Sequence, residues 1–134
     1  MIRDEVDAVI NHVSAWDGIT VEPHRFGGRE FKLDNIEIGH IHTGGLVDIP
    51  FTRAVREQLV AEQRAQPHHI LPDSGWISFY MRVEGDFERA LWLLRLSYLQ
   101  KRINRSRKLL DERAALVAEL DALELGAALR DLIV

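Results

Sequence analysis

Between Phe87 and Leu99 the apolar residues are Phe87, Ala90, Leu91, Trp92, Leu93, Leu94, Leu96, Tyr98 and Leu99. Wound as a helix, they cover most of the circumference. A helix that is apolar nearly all round must be buried on two sides. One side needs a sheet or helix layer from the rest of the chain, and the other side needs a second layer.

The first layer is legible upstream. Ile2, Val6, Val9, Ile10, Val13 and Trp16 fall on one helical stripe, and Gly18 follows as a stop. The period then changes from 3.6 to 2. Ile19 and Val21 alternate with polar neighbours, as do Phe31 and Leu33, and the turn residues around them predict a hairpin of 29–33 with 36–42. Thr43-Gly44-Gly45 turns the chain into a strand at Leu46–Ile49. Thr52 is placed to cap a helix running to about Gln63. Residues 66–75 read as a loop. In Trp76–Val83, Ile77, Phe79, Met81 and Val83 face one way, and Trp76, Ser78, Tyr80 and Arg82 face the other. Asp86 is expected to cap the helix that follows. The fold class is α+β: an antiparallel sheet of about five strands with helices packed on one face.

The second layer is expected from the C-terminal leucine-rich segment. Leu109, Leu116, Leu120 and Leu123 form a stripe, and Gly126 separates a short apolar helix at Ala127–Ile133. The chain thus divides into an α+β domain, 1–102, and a helical extension, 103–134, packing on that domain or on a second copy. Leu129, Leu132, Ile133 and Val134 call for a cover, and a homodimer is the expected one.

With 134 residues the chain makes one domain with a real core. The absence of cysteine excludes disulfides and thiolate ligands and fits a cytoplasmic location. No apolar run approaches the ~20 residues of a membrane span. The net charge is −4, and residues 1–100 hold ten Lys/Arg against fifteen Asp/Glu. That balance argues against a nucleic-acid partner. The one basic run, Lys101 to Lys108, reads as a solvated helix end whose cations suit the negative end of the dipole.

Six histidines are the place to look for chemistry. His12 lies off the first helix's apolar stripe, and His24 sits in a bend beside Pro23. His40 and His42 share one face of a strand, a face that also carries Ile36 and Ile38. Asp48 on the neighbouring strand is expected beside them, with His68 and His69 arriving from the loop and Trp76 lining the pocket. Neutral imidazoles with a carboxylate suit a divalent metal such as zinc, iron, manganese or copper. The candidate metal ligands are His40, His42, Asp48 and His68. The plainer alternative is a set of hydrogen-bonded histidines at the polar rim of an apolar face. No nucleophile elbow, phosphate loop or dinucleotide fingerprint is present.

Taken in series, Gly27-Gly28, Glu30-Phe31, Glu37-Ile38-Gly39-His40-Ile41-His42, Asp48-Ile49-Pro50-Phe51, Pro67-His68-His69, Leu71-Pro72-Asp73-Ser74-Gly75-Trp76 and Leu94-Arg95-Leu96-Ser97-Tyr98 resemble the family catalogued as the luciferase domain. The resemblance spans about residues 15–102. It implies a common domain and carries over no catalytic residue. A fainter likeness is to the MmcQ/YjbR-like fold, which implies an α+β sheet with wing-like loops.

Three functions follow. The first is a module binding a small molecule or peptide in a pocket lined by His40, His42, Asp48, His68, His69 and Trp76. The second is a metal-dependent enzyme built on the His40/His42 pair. The third is a structural or regulatory homodimer acting through the C-terminal helix. The sequence leaves open whether the protein is an enzyme.

Overall fold

The computed structural model covers residues 1–134. Along the chain run α1 (Ile2–Ser14), β1 (Ile19–Pro23), β2 (Arg29–Leu33), β3 (Ile36–Ile41), β4 (Leu46–Pro50), α2 (Arg53–Ala61), β5 (Gln66–Pro67), β6 (Trp76–Tyr80), α3 (Asp86–Arg105), α4 (Leu110–Asp121) and α5 (Ala127–Ile133). The strands form one antiparallel sheet in the order β1-β2-β3-β4-β6-β5. This is the expected α+β class with one strand more. The extra strand is the two-residue β5, which pairs Gln66 with Ser78 and Pro67 with Ile77. Two residues are too few to show alternation in a sequence.

One face of the sheet is apolar. Phe31, Leu33, Ile41, Val47, Ile49 and Ile77 are buried there; α1 packs on β1 and β2, α3 on β3 and β4, and α2 on β6. Thr52 caps α2 as expected, its Oγ1 accepting from the Val55 N–H at 3.2 Å. α4 lies on α3 and α5 on α2. Leu116, Leu120, Leu129 and Ile133 are buried in the same core cluster as Leu93, Leu94 and Leu99. Trp92 Nε1 donates to the Leu123 carbonyl at 3.1 Å, pinning the two layers together. The apolar circumference of α3 is thus covered within the chain, by the sheet on one side and the leucine-rich segment on the other.

The opposite face carries a polar row, one residue per strand. Register pairs Glu30 with His40, His40 with Asp48, and Asp48 with Ser78. A β-bulge shapes this row. Phe31 pairs with Gly39, yet the next residue, Lys32, pairs with Glu37, so Ile38 is left over. The extra residue reverses the alternation. Ile38 turns into the core, fully buried, while Glu37 and His40 emerge on the same polar face. The expectation that Ile38 shares a face with His40 is therefore corrected. Gly39, at the bulge, has φ +156°, and a Cβ there would lie 2.7 Å from Leu94 Cδ2.

Two further expectations change. β6 ends at Tyr80 rather than Val83, and Val83 is exposed. The cause is Asp86, whose Oδ2 accepts the Arg82 and Val83 N–H groups at 2.8 and 3.0 Å and so bends the chain before α3. Asp86 is thus the first helical residue, and Gly85 is the cap. No helix is long and apolar enough to cross a membrane.

Candidate metal centre

Four of the six histidines surround one carboxylate on the polar face, and His24 joins them by stacking on His40. His12 stays apart, exposed on α1. Asp48 sits at the middle of the row and is 1% exposed. Ser78 Oγ donates to its Oδ1 at 2.6 Å. His40 Nε2 and His42 Nε2 lie 3.1 and 3.0 Å from its Oδ2. His68 Nε2 and His69 Nδ1 approach Oδ1 at 3.7 and 3.5 Å. Burial alone would raise the Asp48 pKa. The hydrogen bonds from His40, Ser78 and His42, with the nearby His68, outweigh it and hold the carboxyl well below the ordinary range.

His40 lies between two carboxylates. Its Nδ1 donates to Glu37 Oε2 at 2.7 Å and its Nε2 to Asp48 Oδ2. Burial disfavours its charge, but the bonds to Asp48 and Glu37 prevail and push its pKa up to about 9. Without the bulge, Glu37 would face away from His40. The bulge is what brings the second carboxylate to this imidazole.

Hydrogen-bond partners also fix which nitrogens are free. His24 Nδ1 donates to Glu30 Oε1 at 3.1 Å, leaving its Nε2 lone pair available. The His24 ring stacks on that of His40, centroids 3.9 Å apart. His24, His40 and His42 can each point one ligand atom into a common space within 4.8 Å. Asp48, His68 and His69 meet the same distance test, but His68 fails on chemistry. Its Nδ1 accepts the Ile70 and Leu71 N–H groups at 3.1 and 3.0 Å, so its proton sits on Nε2, where a metal would have to bind. Burial, reinforced by the neighbouring His69, His40 and His42 against the attraction of Asp48, lowers the His68 pKa and keeps it neutral in that form. Since the Ser78 proton is committed to Asp48, His69 Nδ1 donates to Ser78 Oγ, at 3.2 Å.

The sequence-predicted residues His40, His42, Asp48, His68, His69 and Trp76 therefore converge. Trp76 places its ring 5.5 Å from His40 and 5.9 Å from His68. Sequence reasoning missed His24, Glu30 and Ser78 as members of the cluster. A signal for His24 existed: it has the same parity as Glu22, which pairs with Glu30 across the first hairpin. A surface cavity of about 600 Å³ lies elsewhere, beside Glu62, Arg64, Arg89 and Trp92.

Residues 35–97 match the family model of the Luciferase domain. The matched segment runs from the start of β3 into α3 and contains His40, His42, Asp48, His68, His69, Trp76 and Ser78. His24 and Glu30 precede it. The match upholds the resemblance drawn from the motifs, over the central part of the span. Neither a curated protein nor a solved structure matches the chain.

Proposed function

We propose that this chain binds one divalent transition-metal ion through His24, His40, His42 and Asp48, and acts through that ion on a small molecule. The observation that carries this reading is the pair of Nε2 nitrogens, on His40 and His42, set 3.0–3.1 Å from one buried carboxylate oxygen. Ligand atoms bonded at ~2.0–2.1 Å to one ion sit roughly 2.9–3.4 Å from one another. Behind them, Glu30 and Glu37 hold the Nδ1 atoms of His24 and His40. A metal-bound imidazole commonly donates its other nitrogen to such a carboxylate.

Three imidazole nitrogens and one carboxylate suit zinc, iron, cobalt or copper. The ion would replace the Nε2 protons of His40 and His42, so uptake releases protons. The two rings share the Asp48 oxygen, and His24 packs directly on His40, so the space among them is of ionic rather than organic size. This favours the metal over an organic ligand seated inside the cluster. The partial exposure of the His42 side chain, 29%, leaves one side of the ion approachable.

The test is elemental analysis by mass spectrometry on untagged protein purified without chelators, beside a His40→Ala/His42→Ala variant. About one ion per chain, falling to near zero in a variant that keeps its circular dichroism, is the expected result. A wild-type protein that neither retains metal nor takes up zinc, iron, cobalt or copper on titration would overturn the reading.

A further inference from the structure

Resting on the metal reading, we infer that the site takes a small amphipathic molecule, with an oxygen headgroup at the ion and an apolar body along Trp76, Leu71 and Ile70. The argument starts from two aliphatic side chains where burial does not explain them. Ile70 and Leu71 are 71% and 52% exposed, side by side, immediately after the two loop histidines. A single exposed aliphatic residue is ordinary; two adjacent ones on a tethered loop beside a candidate centre are not.

The loop from His68 to Gly75 is held at many points. His68 Nδ1 accepts the N–H groups of both Ile70 and Leu71. Ser74 Oγ donates to the Leu71 carbonyl at 2.7 Å and accepts from the Trp76 N–H at 3.2 Å. The Arg56 guanidinium donates to the carbonyls of Pro72 and Ser74 at 2.9 and 2.5 Å. Gly75 packs so closely on β4's exit that a Cβ would fall 1.9 Å from the Phe51 carbonyl oxygen. Such bonding fixes the backbone while leaving Ile70 and Leu71 in water.

The loop starts and ends beside the metal centre. Trp76, partly exposed, has its ring beside both His40 and His68. Its backbone joins through Ser74 to Leu71. The loop therefore carries an apolar strip, Ile70 and Leu71 with Trp76, and its two ends at His68 and Trp76 adjoin the metal centre. Its size points to a small molecule, because three side chains cannot supply the ~800 Å² per partner of a stable protein interface. Its charge points away from an anionic lipid surface, because the only charged residue from Gln66 to Trp76 is Asp73. An oxygen headgroup suits the ion and its approachable side.

The experiment uses the cobalt-loaded full chain and two probes, acetohydroxamic and octanohydroxamic acid, with affinities read by calorimetry and headgroup binding by the cobalt absorption spectrum. The longer probe is expected to bind at least about 30-fold tighter, which corresponds to partial burial of its six added methylenes. In an Ile70→Ser/Leu71→Ser variant the gain should fall below about 5-fold, with acetohydroxamate binding and cobalt content unchanged. Equal affinities for the two probes, or an undiminished gain in the variant, would overturn the apolar strip while leaving the metal centre standing. Cobalt uptake without any acetohydroxamate binding would overturn the headgroup at the ion, and failure to take up cobalt would instead strike the metal reading beneath it.

Discussion

Val47 and Ile49 face one side of β4 and Asp48 faces the other, and all three are almost wholly buried. Their burial rests on different physics. The apolar pair belongs to a core of 24 residues, in which each side chain has many neighbours and each loss is local. Asp48 is buried among named donors, with Ser78, His40 and His42 each bonded to a particular oxygen. On the apolar face the side chains are interchangeable to within a methyl group or two. On the polar face each residue depends on its neighbour's proton, so the whole row responds to any one change.

The sharpest way to break this comparison is to truncate each kind of residue. Asp48→Ala removes the carboxylate and leaves charged His40 facing an empty acceptor site. Breaking a buried pair from one side costs about 3–5 kcal/mol. Ile49→Val, one residue along, should cost only about 0.5–1.5 kcal/mol. Urea denaturation of metal-free protein at pH 7 measures both. If Asp48→Ala unfolds at the same midpoint as Ile49→Val, the polar row is not structurally coupled, and the contrast between the faces fails.

A second test strikes the element that joins the two faces. Gly39 belongs to the bulge, with Leu94 of the core on one side and the Asp48 carbonyl 3.2 Å from where a Cβ would be. Gly39→Ala adds backbone strain and overpacking, together about 2–3 kcal/mol. Because the bulge brings Glu37 to His40, the substitution should also weaken metal uptake. Ile38→Val, on the core side of the same bulge, should lower stability modestly and leave metal affinity alone. Metal affinity lost equally in both variants would mean the bulge does not orient the site.

That bulge also marks where the sequence stops being readable. Alternation predicted the strands, the all-round apolar α3 predicted two covering layers, and period 2 put His40 and His42 together. Each is a repeating signal averaged over many residues. The extra residue at Ile38 is a single event that reverses parity, and no repeating signal in the sequence reports it. His24 was hidden for a different reason. It reaches the cluster from just past the end of β1, two strands away from His40, so its place depends on the registers of two hairpins at once. The tautomer that sets His68 aside as a ligand depends on two loop N–H groups, which no spacing rule reports.

The smallest effect separates the faces by pH, and its sign follows from which state holds the proton. In the metal-free protein, the folded-state pKa of His40 is about 9 against an ordinary 6.5. The folded state therefore binds the extra proton between those values. The stabilisation is complete below pH 6.5 and is lost as pH rises through 9, amounting to about 2 kcal/mol once the ~3.4 kcal/mol of the full shift is reduced for solvent screening. Lys101 acts in the opposite sense. Burial, only partly offset by Glu37, lowers its pKa to about 8. The unfolded chain holds that proton more tightly, so stability rises between pH 8 and 10.5. The two slopes overlap, and the wild-type profile alone would mislead. The informative quantity is the stability difference between wild type and His40→Gln, in which Lys101 cancels. That difference should shrink by about 2 kcal/mol between pH 6.5 and 9.5. Ile49→Val, whose cost is independent of protonation, should give a flat difference over the same range. A flat line for His40→Gln as well would mean that the imidazole does not carry its charge between Glu37 and Asp48, and the two faces of β4 would then be buried by the same means.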